Sequence, residues 1–348
     1  MNEPLFELPR IAPVEGEQRP FWSVMIPTFN CAKYLRKTLE SVLAQDLGQT
    51  NMQIEMVDDC SDRDDPENVV QEIGQGRVGF FRQAKNLGHT GNFLTCLRRS
   101  KGEAIHLLHG DDYVLAGFYL NMWEALNSNP EIGAAFCRHL FADEDGHWMS
   151  ISGLEMRHGG IWTDGARKLA CTQLIQTPSI VVRRSIYERL GAVDPRLSWT
   201  EDWEMWVRIA VHYPIWFHPE PLAVYRQHGN SNTSRLTLTG ENVRDLRRCI
   251  QTFKKYFPPE EQPEIVAEAN GEQARKTIRS ATSLFASGQK EAALIQLREA
   301  LACSHKMEIV WKICHVVVAQ AMRAAYRNVR GSMRNVRGWV WSQCRIRI

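Results

Sequence analysis

Short apolar segments alternate with helical patterns from residue 21 onward, and this alternation restricts the possible folds more than any other feature of the sequence. Four segments have the length and composition of buried strands: 22–27 (WSVMIP), 53–58 (QIEMVD), 78–82 (VGFFR) and 104–108 (AIHLL). Helical patterns lie between and after them, at about 65–74, 90–100 and 116–128. Strand–helix alternation of this kind predicts an α/β fold with a mainly parallel, doubly wound sheet.

Polar residues follow several of the predicted strands at their carboxyl ends. They are grouped at 28–30, 58–62 and 110–112. Ligands bind beyond the carboxyl ends of the strands in doubly wound sheets, so we expect the three groups to converge on one binding rim. Asn30 is expected to cap the helix that follows it.

The cysteines and the charge balance of the 348-residue chain restrict its expected compartment, metal sites and partners. The nine cysteines are odd in number and have no C-x-x-C pair. We therefore expect neither a zinc site nor a disulfide framework, and a reducing, cytosolic compartment is favoured. The formal net charge of +2 gives no indication of a nucleic-acid partner, and none is expected. Residues 1–20 are predicted to be a polar N-terminal extension rather than a signal peptide, and no apolar run reaches the ~20 residues of a membrane span.

Beyond about residue 235 the composition becomes helical, and residues 236–348 are predicted to form an all-helical C-terminal region with a basic tail. Residues 306–348 contain nine Lys or Arg and a single acid, Glu308. Two interpretations of this segment remain open. It is either a basic amphipathic surface that lies on an anionic membrane, or a solvated helix end with a frayed tail.

Gly74, Gly76 and Gly79 form the G-x-G-x-x-G pattern of dinucleotide-binding folds. In those folds the pattern follows a strand and opens a helix, whereas here it follows a helical segment and leads into a strand. We therefore interpret it as a turn. The main argument for a nicotinamide-dependent enzyme is thereby removed.

Adjacent carboxylates end two of the predicted strands, as Asp58–Asp59 and Asp111–Asp112. A nucleoside diphosphate is bound with a hard divalent cation that takes oxygen ligands, and a ribose hydroxyl also suits a carboxylate acceptor. Each pair alone is typical of an Asp-rich turn with a helix cap. Two such pairs on one rim instead favour a nucleotide-diphosphate site with Mg²⁺ or Mn²⁺.

Six motifs follow one another in a particular order: SVMIPTFN, IEMVDDCSD, NLGHTGNF, LLHGDD, TEDWEMWVRIA and YRQHGNS. Their order and spacing over residues 21–235 resemble those of family 2 glycosyltransferases, which have the GT-A fold. The resemblance implies a GT-A glycosyltransferase domain over 21–235 and does not extend to the C-terminal third of the chain.

The resemblance also implies roles for individual residues. Those implied to bind the nucleotide are Pro27, Thr28, Asn30, Asp58, Asp59, Asn86 and Gly88. Asp111 matches the carboxylate of the family's D-x-D motif that reaches the metal, while His109 replaces the first Asp of that motif. A neutral imidazole can still bond a ribose hydroxyl but has no charge to attract a cation, which leaves Asp112 to share the neutralisation of the metal.

Two later motifs supply the remaining implied roles. Arg226 matches a basic residue that binds phosphate oxygens, and His228 matches a metal-facing group, with a satisfied loop histidine as the alternative. The triplet Thr200-Glu201-Asp202 matches the family's TED motif, in which the Asp is the general base. The alternative for Asp202 is a structural role at a helix start, where the macrodipole favours an acid.

Together these matches imply an inverting, metal-dependent glycosyltransferase. It would move a sugar from a UDP-linked donor to a hydroxyl of a glycan or lipid-linked acceptor, in envelope polysaccharide or lipopolysaccharide biosynthesis. Two alternatives from other classes remain open, a non-catalytic nucleotide-sugar-binding protein and a membrane-surface scaffold. The expected location is the cytoplasm, at the inner face of the cell membrane if the basic C-terminus binds lipid.

Overall fold

A computed structural model of the protein describes residues 7–14, 18–229 and 231–323. The chain divides into two compact units: the first comprises residues 1–235 and 245–269, and the second comprises residues 236–244 and 270–348. The predicted N-terminal extension lies partly outside the described residues, and the predicted basic tail lies outside them from residue 324 onward. The predicted domain boundary at residue 235 remains a prediction.

The first unit is built on one mixed sheet, which has ten strands among the described residues. They are β1 (Trp22–Thr28), β2 (Met52–Asp58), β3 (Gly79–Arg82), β4 (Ala104–Leu107), β5 (Tyr113–Val114), β6 (Ala134–Ala142), β7 (Trp148–Ile151), β8 (Gly160–Ile161), β9 (Ile180–Arg183) and β10 (Ile215–Arg226). The main path runs β3-β2-β1-β4-β9-β6-β10-β5, with β7 beside β6 and β8 beside β10.

The sheet is mainly parallel. The pairs β1–β2, β1–β4, β2–β3 and β6–β10 are parallel, whereas β9 is antiparallel to both β4 and β6. This confirms the predicted fold class, and the four predicted strands are β1 to β4. Because β1, β2 and β4 are parallel neighbours, their carboxyl ends at Thr28, Asp58 and Leu107 lie at the same edge of the sheet.

Helices of the first unit cover both faces of its sheet. In chain order the described helices are α1 (Ala32–Leu43), α2 (Pro66–Gly74), α3 (Gly88–Arg99), α4 (Phe118–Ser128), α5 (Gly165–Cys171), α6 (Arg184–Leu190), α7 (Glu201–His212), α8 (Asn232–Thr239), α9 (Glu241–Phe253), α10 (Gln262–Ala286), α11 (Lys290–Cys303) and α12 (307–323). Alternate side chains of β1 point to opposite faces. Val24 and Ile26 share an apolar cluster with Leu39 of α1, whereas Met25 shares another cluster with Phe93 of α3.

Two local predictions have different outcomes. The segment containing Gly74 and Gly76 is a turn, as predicted, because α2 ends at Gly74 and Gly76 has a φ of +82° before β3 begins. The prediction that Asn30 caps α1 is wrong. Asn30 has a φ of +50°, and its Oδ1 accepts hydrogen bonds from the backbone N–H groups of Asp62 and Arg63 at 3.1 and 3.0 Å.

The second unit is helical in its described part. Its core contains Ala274 and Ile278 of α10, Leu297 of α11 and Ile309 of α12. This confirms the predicted helical C-terminal region. Among the helices of residues 7–14, 18–229 and 231–323, none has the combination of length and apolar character that crossing a bilayer requires.

Candidate active site

The loop after β4 packs tightly against the end of β1. A Cβ atom at Gly110 would lie 2.8 Å from both Cys31 Sγ and Thr28 Oγ1, so a glycine is required for this close approach. Thr38 Oγ1 then donates hydrogen bonds to the carbonyl oxygens of Gly110 and Asp112, at 3.0 and 2.7 Å. These contacts fix the backbone of the loop at the edge of the sheet where β1 and β2 also end.

The side chains of this loop form a compact acid–imidazole group. Ligand atoms of His109, Asp111 and Asp112 all lie within 4.8 Å of one another. His228, which follows β10, donates a hydrogen bond from Nε2 to Asp111 Oδ2 at 2.9 Å. The structure thus brings together Asp111, Asp112 and His228, which the sequence predicts near the metal, and His109, which it predicts to bond the ribose.

The protonation of the group follows from its burial and its internal charges. Burial opposes protonation of His109, yet the contact with Asp112 and the charge of Asp111 outweigh it and raise the pKa of the imidazole. Burial alone would raise the pKa of Asp111, but the hydrogen bond from His228 and the charge of His109 lower it. Burial raises the pKa of Asp112 to about 6, despite the opposing effect of His109. The raised pKa means that His109 is protonated to a greater extent than a free histidine at the same pH, and a cation bound beside it would require the neutral imidazole.

The residues of this group suit a divalent cation. Within the described part of the chain, the buried atoms His109 Nε2 and His228 Nδ1 have no hydrogen-bond partner, and Asp112 Oδ2 has only a 3.4 Å contact with His109 Nδ1. An unpaired buried polar atom is costly, and a bound cation would satisfy carboxylate and imidazole atoms of this kind. The donor set therefore fits Mg²⁺ or Mn²⁺, with Asp111 the most exposed of the carboxylates.

Arg226 forms part of the wall of the group. Its backbone N–H donates to Asp112 Oδ1 at 2.8 Å, and its Nε donates to the carbonyl oxygen of Asp111 at 2.9 Å. The guanidinium also lies over the rings of Tyr34 and Tyr113, with its central carbon 4.8 and 5.6 Å from their centroids. These contacts hold the acidic loop in place, and they occupy part of the donor capacity that the sequence assigns to phosphate.

The two carboxylates at the end of β2 have different environments. Asp58 is fully buried, and its oxygens accept hydrogen bonds from Ser61 Oγ at 2.5 Å and from Arg82 Nε at 2.7 Å. Asp59 accepts from the backbone N–H of Leu87 at 2.7 Å. Burial raises the pKa of Asp59, against the effect of this bond and of the Gly88 N–H. Both carboxylate oxygens of Asp58 thus accept hydrogen bonds from neighbouring side chains. Asp59 instead joins the end of β2 to the turn before α3.

The remaining predicted nucleotide-binding residues lie around this edge. Asn86 Oδ1 accepts from the Gly88 N–H at 3.0 Å, and Gly88 has a φ of +76°, which favours glycine at this turn. Pro27 and Thr28 are buried at the end of β1. Asn30 is more exposed and is bonded to residues 62 and 63.

Asp202 lies in the first turn of α7 with both carboxylate oxygens engaged. Its Oδ2 accepts from Gln173 Nε2 at 2.9 Å and from Thr177 Oγ1 at 3.0 Å, while Oδ1 accepts from the Trp203 N–H. Burial raises the pKa of Asp202 to about 6, and the charge of Glu201 contributes in the same direction. The carboxylate is therefore oriented and more basic than an ordinary aspartate.

Two contacts at this site have no signal in the sequence. The His89 Nε2 and Glu201 Oε1 atoms lie 2.7 Å apart, and the His89 ring lies 5.5 Å from the ring of His109. Glu201 is buried. The pair therefore connects the start of α3 with the start of α7, although 112 residues separate its members (201 − 89 = 112).

Asp245 anchors the segment that leads into α7. Its carboxylate accepts hydrogen bonds from the backbone N–H groups of Ser198, Trp199 and Thr200, and Thr200 Oγ1 donates to Oδ2 at 2.8 Å. Arg248 Nη2 donates to Oδ1 at 2.8 Å. This buried carboxylate thus fixes the residues immediately before Asp202.

We expect Asp245→Ala to destabilise the protein by about 3 kcal/mol, because it leaves several N–H groups of residues 198–200 without their charged acceptor. Urea-induced unfolding measures the change. The control is Glu260→Ala, which removes an exposed carboxylate and is expected to change stability by less than about 0.5 kcal/mol. Equal stabilities of the two variants would contradict the anchoring role.

The loops described above fall largely within a segment that matches a known family. Residues 23–191 match the family model described as glycosyl transferase family 2. The segment of residues 23–191 belongs to glycosyltransferase family 2. The family membership predicted from the six motifs is thereby confirmed. Asp202, Arg226 and His228 lie beyond the matched segment, on α7 and at the end of β10.

Comparisons with individual proteins agree with this family. The uncharacterized glycosyltransferase RP339 of Rickettsia prowazekii is 24% identical over 231 residues, which cover 65% of this chain and 70% of that protein. Two solved structures have the same fold. The mannosyltransferase PcManGT from Pyrobaculum calidifontis, in complex with GDP-Man and Mn²⁺, gives a TM-score of 0.57 at 18% identity, covering 94% of this chain and 86% of that one. Residues 1–349 of S. aureus TarS, in complex with UDP-GlcNAc, give a TM-score of 0.56 at 14% identity, covering 81% and 91%.

Proposed function

We propose that this family 2 member is an inverting glycosyltransferase that moves a sugar from a UDP-linked donor to a hydroxyl of a glycan or lipid-linked acceptor. We place its reaction at the cytoplasmic side, in envelope polysaccharide or lipopolysaccharide biosynthesis. One observation carries the proposal. His89 Nε2 lies 2.7 Å from Oε1 of Glu201, the neighbour of Asp202, and the His89 ring lies 5.5 Å from the ring of His109. This contact places the start of α7 beside the acid–imidazole group, which supports assigning Asp202 and the candidate cation site to one reaction centre.

The donor side is proposed from the edge formed by β1, β2 and β4. Asp59 and the Asn86–Gly88 turn would contact the nucleoside, and Thr28 borders the acidic loop. When bound at Asp111, with Asp112, His109 and His228 around it, Mg²⁺ or Mn²⁺ would neutralise negative charge on the donor's diphosphate. TarS is in complex with UDP-GlcNAc and PcManGT with GDP-Man and Mn²⁺, so proteins of this fold bind both kinds of donor.

The acceptor side is proposed from Asp202. Its carboxylate would take the proton of the acceptor hydroxyl as the acceptor oxygen bonds to the anomeric carbon and the bond from that carbon to the diphosphate breaks. The anomeric centre inverts in this single displacement, and no covalent glycosyl-enzyme forms. Gln173 and Thr177 hold Asp202 Oδ2, which keeps the base in one orientation.

Activity is expected to fall at acidic pH because the base must be deprotonated. With the pKa of Asp202 raised to about 6, protonation increases as the pH falls through that value. Turnover should therefore be about tenfold lower at pH 5 than at pH 7. Initial rates over this range, with unfolding temperatures as a control for the fold, measure the effect. A rate that is independent of pH across this range would contradict the assignment of Asp202.

The donor assignment is tested by thermal unfolding with a panel of nucleoside diphosphates, each with and without Mn²⁺. A ligand at about a hundred times its dissociation constant adds about 2.7 kcal/mol of stability. We expect UDP with Mn²⁺ to raise the unfolding temperature most. A larger shift with another nucleoside would overturn the uridine assignment, and no shift with any of them would overturn the donor site.

A further inference from the structure

We propose that α12 docks the protein onto an anionic lipid surface through an apolar stripe on its exposed face. The α12 stripe consists of Met307, Trp311, Cys314, Val318 and Met322. Successive members are three or four residues apart, which places them on one face of a helix. This docking is independent of the reaction proposed above.

The opposite face of α12 already has a partner within its own unit. Ile309 is fully buried in the core of the second unit, and Ile313 and Val316 pack against the same core. At about 100° per residue, these side chains lie on the side of the helix opposite the α12 stripe. The helix is therefore apolar on two faces, and its own unit covers one of them.

The α12 stripe is open to solvent along its length. The exposed fractions are 78% for Met307, 66% for Trp311, 54% for Val318 and 68% for Met322. Cys314 is also exposed. Scattered exposed apolar residues are ordinary, but a continuous row along one helix face indicates an interaction surface. Trp and Met side chains are well suited to the boundary between lipid headgroups and acyl chains.

Charge identifies the occupant as anionic. Lys306, Lys312 and Arg323 lie on or next to α12, whose one acid, Glu308, is paired with Lys312. The sequence from 324 to 348 then adds only positive charge, with arginines at 327, 330, 334, 337, 345 and 347. An apolar stripe on a segment whose charge is almost entirely basic complements a bilayer that contains acidic phospholipids.

A second copy of the chain fits the same surface less well. The segment from Lys306 to the end of the sequence contains nine basic residues and one acid, Glu308, so each copy would carry a large positive charge to the pairing surface. Two copies would therefore bring like charges together, whereas an acidic bilayer neutralises them. Charge complementarity thus selects the lipid surface.

Flotation of the full chain with vesicles tests the proposal. Phosphatidylcholine vesicles with and without phosphatidylglycerol are compared, using wild type and the double variant Trp311→Glu with Val318→Glu. The matched control is Leu120→Glu with Trp123→Glu on α4, where the side chains are 60% and 44% exposed. The single variant Met322→Glu, near the end of the described helix, provides a milder change, and unfolding temperatures verify that each variant folds.

We expect wild type and the α4 control to float with phosphatidylglycerol vesicles, less so as salt increases, and the α12 double variant to partition at least about tenfold more weakly. The Met322→Glu variant should show an intermediate loss. Equal binding by wild type and the α12 double variant, no binding of wild type, or equal binding to both kinds of vesicle would overturn the proposal. So would a wild-type dimer in solution that the α12 double variant dissociates, since the stripe would then join two copies.

Discussion

Replacing Asp202 with asparagine is expected to lower the rate of nucleoside diphosphate release from the donor by about 10³-fold. Asparagine has nearly the same shape and keeps an oxygen that can accept from Gln173 or Thr177, but it cannot take the acceptor's proton. Donor binding should therefore be preserved while turnover is lost. Coupled-enzyme detection of the released diphosphate, with water or a glycan as acceptor, measures the effect.

The matched control for this experiment is Glu131→Gln, which removes an exposed carboxylate before β6. It should release diphosphate at the wild-type rate. If Asp202→Asn also kept the wild-type rate, Asp202 would have only a structural role at the start of α7.

Replacing Asp111 with asparagine is expected to abolish the Mn²⁺-dependent part of the stabilisation by nucleoside diphosphate. The substitution removes the negative charge of the most exposed carboxylate in the acid–imidazole group, so a cation there loses a charged oxygen ligand. Turnover should fall by about 10³-fold, which corresponds to ~4 kcal/mol of transition-state stabilisation. Thermal unfolding with and without Mn²⁺ separates the loss of cation binding from a loss of fold.

A second acid–imidazole group supplies the control for Asp111. Asp143, Asp145 and His147 also bring their ligand atoms within 4.8 Å of one another, on the exposed turn between β6 and β7. Asp145→Asn removes a charge there and should leave both turnover and Mn²⁺-dependent stabilisation unchanged. Equal behaviour of Asp111→Asn and Asp145→Asn would contradict a cation site at Asp111.

The fold could be predicted because its signals are local. Each of β1 to β4 is an apolar run with polar residues at its end, and each has bounds within one residue of those predicted. Parallel pairing then brings the ends of β1, β2 and β4 to one edge. The placement of Asp59 and Asp111 around that edge follows from this topology.

Other features of the site depend on contacts that no local pattern contains. Asn30 occupies the position of a helix cap, yet it bonds to the loop at 62 and 63, and Asp64 Oδ2 accepts instead from the first N–H of α1. The adjacent carboxylates Asp58 and Asp59 look equivalent in the sequence. They differ because Arg82, at the end of the neighbouring β3, donates a hydrogen bond to the carboxylate of Asp58.

The surroundings of Asp202 also depend on contacts with residues that are distant in the sequence. Its nearest polar partners, Gln173 and Thr177, precede it by 29 and 25 residues, and the anchoring Asp245 follows it in a region whose composition indicates only helix. The TED match predicts a base at this position, but its raised pKa arises from burial and from Glu201 within the folded site. Sequence patterns cannot specify that environment.

Release of nucleoside diphosphate from a panel of nucleotide sugars, with and without Mn²⁺, tests the central claim most directly. If the site is a glycosyl-transfer centre, wild type will turn over one donor in a Mn²⁺-dependent reaction, and Asp202→Asn will bind that donor without turning it over. Tight donor binding by wild type with no release of diphosphate under any condition would contradict the claim and indicate a nucleotide-sugar-binding protein.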